Sequence, residues 1–374
     1  MSKTTAQTSL SLRKKIGQLF FIGLPGPDVE EISSELLEEI SPGGICLFAR
    51  NVRTREQVRQ LLDSIRLKLE TPPFLSLDQE GGLVDRLRKI STPMPAVSKL
   101  TSQTEVVRLA EITSQIIATL GFNMNFAPVV DVVDEKRSQF SNGLQSRAFG
   151  KGKEDVVNWA GAYLETIQNR GVFGCLKHFP GLGAAEIDSH VELPVVNLSR
   201  AEFYENELYP FSELFKTEKV FAVMIAHACF PNLDLQEKDQ NGKLLPSSLS
   251  FNFITKLLRE EMGFEGLAIT DDLEMGAITN NYGIGEACKM AVRAGADLLA
   301  ICANPESVRQ GFRAVVDAVQ SGQIPESRID ESIDRIFRVK SDLAAPPSFD
   351  DELLEQLSEK VAQLNQDVMK QHGG

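Results

Sequence analysis

Histidine is scarce in this chain of 374 residues, with four in all, and its five cysteines form no pattern. Cys46, Cys175, Cys229, Cys288 and Cys302 are odd in number, unclustered and set mostly in apolar runs, which excludes a disulfide framework. No His-x-x-x-His or Cys-x-x-Cys pair occurs, so no metal is expected. A Walker-type phosphate loop and a dinucleotide glycine fingerprint are also missing, so no cofactor is expected. Basic side chains are short in supply, 39 Lys and Arg against 52 Asp and Glu, for a formal charge of -13. That balance speaks against nucleic acid and against a membrane surface, since phosphate recognition needs Lys and Arg patches. The first apolar run, Ile16 to Leu24, is short and follows Arg13-Lys14-Lys15, but no small-residue cleavage site comes after it. Pro25-Gly26-Pro27-Asp28 reads instead as a turn into a helix, the run as a strand, and the protein as cytoplasmic. Neither a short-period repeat nor a low-complexity tract is present.

What is present is a regular alternation. Short apolar runs recur at Leu19–Gly23, Gly44–Phe48, Phe74–Leu77, Met124–Ala127, Val172–Leu176, Phe221–Ile225, Gly266–Ile269 and Asp297–Ile301. Amphipathic stretches with helical spacing lie between most of them, among them Thr54–Leu69, Thr104–Leu120, Asp155–Arg170, Arg200–Phe215, Phe251–Met262 and Glu286–Ala294. Strands that are apolar throughout form a parallel sheet covered on both faces, and eight such units predict a closed (β/α)8 barrel of the α/β class. The barrel is expected over residues 1–343, with a linker and one amphipathic helix over 344–374, because Ala344-Ala345-Pro346-Pro347-Ser348 breaks the chain before Phe349 to Lys370.

The polar signals follow the strands, where barrels of this kind assemble their sites. Asp78-Gln79-Glu80-Gly81-Gly82 follows the third run, Lys177-His178 the fifth, His227 the sixth and Asp271-Asp272 the seventh. Pro180, Gly181 and Gly183 force the segment after Leu176 out of its strand into a loop that presents side chains. In Asp188-Ser189-His190 the carboxylate can fix one imidazole nitrogen and leave the other facing a ligand, which is how a proton shuttle is built. Taken singly, each of these residues has an ordinary structural reading as a helix cap or a solvated side chain.

Six motifs, in order, resemble one family. They are Asp78-Gln79-Glu80-Gly81-Gly82-Leu83-Val84-Asp85-Arg86, Asn125-Phe126-Ala127-Pro128-Val129-Val130-Asp131-Val132, Lys177-His178-Phe179-Pro180-Gly181, Asp188-Ser189-His190, Met224-Ile225-Ala226-His227 and Ile269-Thr270-Asp271-Asp272-Leu273-Glu274-Met275. From about Leu12 to Val339 the chain resembles family 3 glycoside hydrolases, specifically the bacterial NagZ-type β-N-acetylglucosaminidases. That resemblance implies the same barrel and retaining hydrolysis of a terminal β-linked N-acetylhexosamine. It implies Asp271 as nucleophile, and His190 oriented by Asp188 as acid/base, an imidazole having an ordinary pKa near neutrality. It implies Asp78, Arg86, Arg147, Lys177 and His178 as binders of sugar hydroxyls. His227, Asp131 and Asp272 are expected behind them, Asp272 bonding to nearby backbone rather than doubling the nucleophile.

The expected partner is a small carbohydrate of muropeptide or chitooligosaccharide type, and no residue pattern sets an oligomeric state. Other β-glycosides, phosphate in place of water as acceptor, and a non-catalytic sugar-binding barrel are the competing readings. The chain departs from most of the family at Leu182, where His is usual, at Ala148, where Ser is usual, and at Gln145-Ser146. Leu182 is expected to remove a polar anchor from the loop bearing Asp188 and His190 and to shift its resting position.

Overall fold

The computed structural model describes residues 10–217 and 219–372. Eight parallel strands run in the order β8-β1-β2-β3-β4-β5-β6-β7: β1 (Phe20–Gly23), β2 (Gly44–Leu47), β3 (Phe74–Leu77), β4 (Met124–Asn125), β5 (Phe173–Phe179), β6 (Ala222–Ile225), β7 (Leu267–Thr270) and β8 (Leu299–Ile301). Every strand residue is buried, as the unbroken apolar runs require when side chains on one face fill the barrel and those on the other meet helices. The ring closes at β7 and β8 through a single bridge instead of a regular ladder. There the Leu298 N–H donates to Ala268 O at 3.1 Å and the Thr270 N–H to Leu298 O at 2.9 Å. The Ala300 N–H adds a bond to the Thr270 hydroxyl at 3.0 Å.

A helix α1 (Leu12–Gln18) precedes the first strand, and a helix follows each strand: α2 (Glu31–Ile40), α3 (Arg55–Lys68), α4 (Gln103–Leu120), α5 (Lys153–Asn169), α6 (Tyr209–Thr217), α7 (Asn252–Glu261), α8 (Ile284–Ala294) and α9 (Pro305–Gln320). Their starts are written in the sequence: the side chains of Ser11, Thr54 and Ser102 accept from the N–H groups of Lys14, Gln57 and Glu105 at the head of α1, α3 and α4. Two more helices, α10 (Glu326–Lys340) and α11 (Asp351–His372), end the chain. Lys340, at the end of α10, is buried and donates to Gln18 Oε1 of α1 at 2.7 Å.

The eight-stranded barrel is as expected, with four local corrections. The run Ile16 to Leu24 is not one strand: the Ser11 cap starts a helix that takes Ile16 to Gln18, and the strand begins at Phe20. Arg200 to Phe215 is not one regular helix either. A capped turn at Arg200–Glu202 gives way to a widened turn over Phe203–Glu207, in which the Leu208 N–H reaches back five residues to Phe203 O, before α6 begins. The same widened bonding runs through α7. Finally, β5 extends past Leu176 to Phe179, so Lys177 and His178 lie in the strand and the loop begins only at Pro180. Parallel pairing with β6 carries it that far, Lys177 opposite Met224 and Phe179 opposite Ile225.

Helix α11 lies against α4 and buries Leu354, Leu357, Val361, Leu364 and Val368, whose three-and-four spacing makes one apolar stripe. Arg108 pairs with Asp367 at 2.7 Å, and Arg55 with Asp351 and Glu355 at 3.1 and 2.8 Å. The helix also grips the chain that returns from β3: the Thr92 N–H donates to the Ser358 hydroxyl at 2.8 Å and Asn365 to Pro93 O at 2.9 Å. No helix among the described residues is long and apolar enough to cross a membrane.

Candidate active site

At the C-terminal ends of the strands lies a cavity of about 370 Å³. Its polar wall holds Asp78, Arg86, Arg147, Lys177, His178, His190, Asp271 and Asp272, eight of the eleven residues singled out in the sequence. The other three stand directly behind members of that wall. Asp131 accepts from His178 Nδ1 at 2.7 Å, Asp188 from His190 Nδ1 at 2.7 Å, and His227 Nε2 donates to Asp272 O at 3.0 Å.

One side of the cavity is a knot of alternating charges. Lys177 Nζ, buried at the end of β5, sits 2.8 Å from Asp78 Oδ1 and 2.6 Å from Glu80 Oε1. Glu80 takes two bonds from Arg147, at 2.7 and 2.9 Å, and Asp78 pairs with Arg86 at 3.3 Å. Burial alone would push the two carboxylates up. Lys177 and Arg86 outweigh it at Asp78 and hold it well below the usual range, and Arg147 and Lys177 bring Glu80 down to about 2. Burial likewise works against the Lys177 cation, yet Asp78 and Glu80 raise its pKa. Both acids are therefore ionised at neutral pH beside the charged Lys177 and Arg147, which offers a polar ligand donors and acceptors side by side.

Glu80 had no role assigned from the sequence. Its signal was there, because two residues along an extended segment bring a side chain back to the same face as Asp78. The segment that carries them, a hairpin of Gln79–Gly81 with Val84–Asp85, is held from beneath by Gln79, whose side chain donates to Asp85 Oδ1 at 2.8 Å and accepts from the Arg86 N–H at 3.0 Å. The rest of the lining is softer, with Phe48, Phe126, Met224, Met275, Cys46 and Cys302, none of which had a role assigned from the sequence.

Asp271 and Asp272 leave the end of β7 in different directions. Burial opposes ionisation of Asp271, but the imidazoles of His178 and His227 and the Asp272 N–H, which donates to its Oδ1 at 2.8 Å, bring its pKa below the ordinary value. Asp272 turns back to the backbone and accepts from the N–H groups of Glu274 at 3.0 Å and Cys302 at 3.3 Å. Burial pushes it up to about 7. Two adjacent acids are thus separated by environment into an anion facing the cavity and a structural acceptor beside it. His227 is a satisfied buried histidine: with Nε2–H given to Asp272 O, its Nδ1 accepts from the Ser248 hydroxyl at 2.7 Å, and burial lowers its pKa.

His190 reaches the cavity from outside the barrel, on the loop after β5. Its side chain is 69% exposed, and its Nδ1–H donates to Asp188 Oδ1 at 2.7 Å, with the His190 N–H on the same oxygen at 2.9 Å. Nε2 is left for a ligand. The loop rests on the turn that follows Asp271: Gly276 N–H donates to His190 O and Ala277 N–H to Ser189 O, both at 3.2 Å. A Cβ on Gly276 would stand 2.4 Å from Val191 O, so only glycine permits this approach. Leu182 brings no polar side chain to this loop: its side chain joins the core, and its N–H donates to Asp131 Oδ1 at 2.7 Å. His190 lines the same cavity as Asp271 with the loop in this position, so no opening is needed to bring the two together. Among the described residues no group of three or more His, Cys, Asp or Glu could hold a metal ion.

The sequence profile described as "Glycosyl hydrolase family 3 N terminal domain" matches residues 11–339. A beta-hexosaminidase of Haemophilus influenzae is 33% identical over 297 residues, covering 77% of this chain and 80% of that protein. Beta-hexosaminidase A of Pseudoalteromonas piscicida is 29% identical over 331 residues, 83% of this chain but 55% of that protein. Among solved structures, a glycoside hydrolase family 3 beta-N-acetylglucosaminidase from a Paenibacillus species superposes with a TM-score of 0.85 at 33% identity, over 95% of this chain and 69% of that one. A family 3 glycosyl hydrolase from Mycobacterium smegmatis gives 0.79 at 29% identity, over 89% and 98%.

Proposed function

Because this chain belongs to glycosyl hydrolase family 3 and is a glycoside hydrolase, we propose that it removes terminal β-linked N-acetylhexosamine units by a retaining mechanism. The observation that carries the reading is that His190, backed by Asp188, and Asp271 line one cavity beside the charged knot that suits sugar hydroxyls. In the first step the Asp271 carboxylate attacks the anomeric carbon as the bond to the aglycone oxygen breaks. The imidazolium of His190, its Nδ1–H held by Asp188, gives its Nε2 proton to that oxygen. In the second step the neutral imidazole takes a proton from water, the water oxygen bonds to the anomeric carbon, and the Asp271 carboxylate departs. Asp78, Lys177, Arg86, Arg147 and His178 grip the sugar, and Asp272 keeps the strand end in place.

The names borne by the relatives support N-acetylhexosamine over other sugars, and we assign muropeptide or chitooligosaccharide fragments as the substrates. Five free cysteines suit a reducing compartment, and we place the protein in the cytoplasm. The test is to treat the enzyme with a 2-acetamido-5-fluoro glycosyl fluoride and map the labelled peptide. Label on Asp271 is expected; a label elsewhere, or none alongside brisk turnover, sinks the mechanism. A panel of 4-nitrophenyl glycosides tests the sugar, and preference for a glucoside or xyloside overturns the assignment. An uncharged imidazole also does not repel an anionic acceptor, so adding phosphate to the same assay and looking for a glycosyl phosphate separates phosphorolysis from hydrolysis.

A further inference from the structure

A second buried carboxylate lies beneath the loop that carries His190. Glu207 is 1% exposed and ends the widened turn Phe203–Glu207. Its carboxylate stands 2.6 Å from Arg137 Nη1. Gly181, at φ +124°, lies flat on its side chain: a Cβ there would be 2.5 Å from Glu207 Cβ and 2.9 Å from Oε2. Two buried acids therefore meet the start of the loop: Asp131 takes the Leu182 N–H at 2.7 Å, and Glu207 packs against Gly181. From that double attachment the chain runs past Asn142, whose side chain donates to Ala185 O at 2.7 Å, and past Ser141, whose N–H donates to Glu186 O at 3.2 Å, directly into Asp188 and His190.

Arg137 is committed elsewhere as well, donating to Val132 O at 2.9 Å with Asp134 at 3.9 Å. It thus joins the Glu207 turn to the chain that supplies Asp131. An ion pair that only stabilised the fold would have no need to lie against the glycines of this loop. We propose that Glu207 is a positioning residue for the acid/base: by packing against Gly181 at the start of the loop it sets where His190 stands over the sugar. This rests on the reading of His190 as acid/base. Loss of the anchor should slow proton transfer far more than sugar binding, because Asp78, Glu80, Arg86 and Arg147 of the charged knot lie on other segments and Lys177 is held within β5, before the loop begins.

The experiment compares Glu207→Gln with wild type and with His190→Ala, using an aryl N-acetyl-β-glucosaminide with a good leaving group and one with a poor one. Glu207→Gln is expected to lose ~10–100-fold in kcat on the poor leaving group with KM within about threefold. On the good leaving group, azide should restore turnover in both variants. Azide attacks the anomeric carbon of the glycosyl ester without needing deprotonation, the Asp271 carboxylate leaves, and the product is the β-glycosyl azide. A loss in Glu207→Gln that is the same for both leaving groups, falls mainly on KM or ignores azide overturns the proposal, as does wild-type kinetics. Should Glu207→Gln not fold by circular dichroism, Gly181→Ala disturbs the same contact from the loop side and is judged by the same readout. Wild-type enzyme that fails to turn over either glycoside would instead sink the functional reading on which the comparison depends.

Discussion

Neighbouring residues of one type do different work here because their surroundings differ. Asp271 faces imidazoles and the cavity, whereas Asp272 faces two backbone N–H groups. Asp271→Asn should therefore lower kcat/KM by roughly 10³-fold or more, measured on an aryl N-acetylglucosaminide. Asp272→Asn keeps an oxygen for the Glu274 and Cys302 N–H groups and should stay within about tenfold of wild type. Asp272→Ala strands those donors, and urea unfolding should read a loss of about 1 to 3 kcal/mol. The charged side chains were legible in the sequence because a carboxylate or lysine directly after a strand of a two-sided sheet has few places to point except the open end. Cys46, Phe48, Met224, Met275 and Cys302 were not, since an apolar residue lining a sugar pocket and one filling a core look alike on paper. Glu80 was visible beside Asp78, and only its partners, from β5 and the Arg147 segment far along the chain, reveal what it does.

Between elements, the site depends on contacts that sequence periodicity does not register. Gly276 lets the turn after β7 touch the loop that carries His190, backbone to backbone. Gly276→Ala should push residues 189–191 outward and reduce kcat by roughly 10–100-fold while the melting temperature falls little; unchanged kcat would mean that the loop tolerates the displacement. Helix α11 was legible from its polar amphipathic pattern, but its role was not. Through Ser358 and Asn365 it fixes Thr92 and Pro93, and the next residue, Met94, donates its N–H to Asp85 Oδ2 at 2.8 Å, under the hairpin of Asp78 and Glu80. Ending the chain at residue 349 should raise KM for the sugar more than it lowers kcat, and Leu357→Ala, at a fully buried position, should cost about 2–5 kcal/mol in chemical denaturation. The widened turns escaped the sequence for a related reason. One extra residue in a turn hardly alters an apolar period, so Arg200 to Phe215 and Phe251 to Met262 looked like ordinary helices.

For the molecule as a whole, the eight strands were legible because burial on both faces leaves each as an uninterrupted apolar run, and the misreading at Ile16 came from a helix feeding straight into such a run. At the other end of the barrel from the cavity, burial lowers the pKa of Lys340 to about 7 from 10.5. Above pH 7 the native state has released this proton while the unfolded chain keeps it up to about 10.5, so the lysine's contribution to stability rises with pH across that window and is flat below it. Lys340→Met should be more stable than wild type by on the order of a few kcal/mol below pH 7, and the gap should shrink toward pH 10. Denaturant titrations across that range measure it, and a gap independent of pH would show that the amine is not the cause. The joint between β7 and β8 has a thermal counterpart. A hoop parts where it was last fastened, and here the fastening lies directly below Asp271. On warming, catalysis should vanish several degrees before the far-ultraviolet helical signal does, with the Thr270 and Leu298 amides among the first of the barrel to exchange for deuterium.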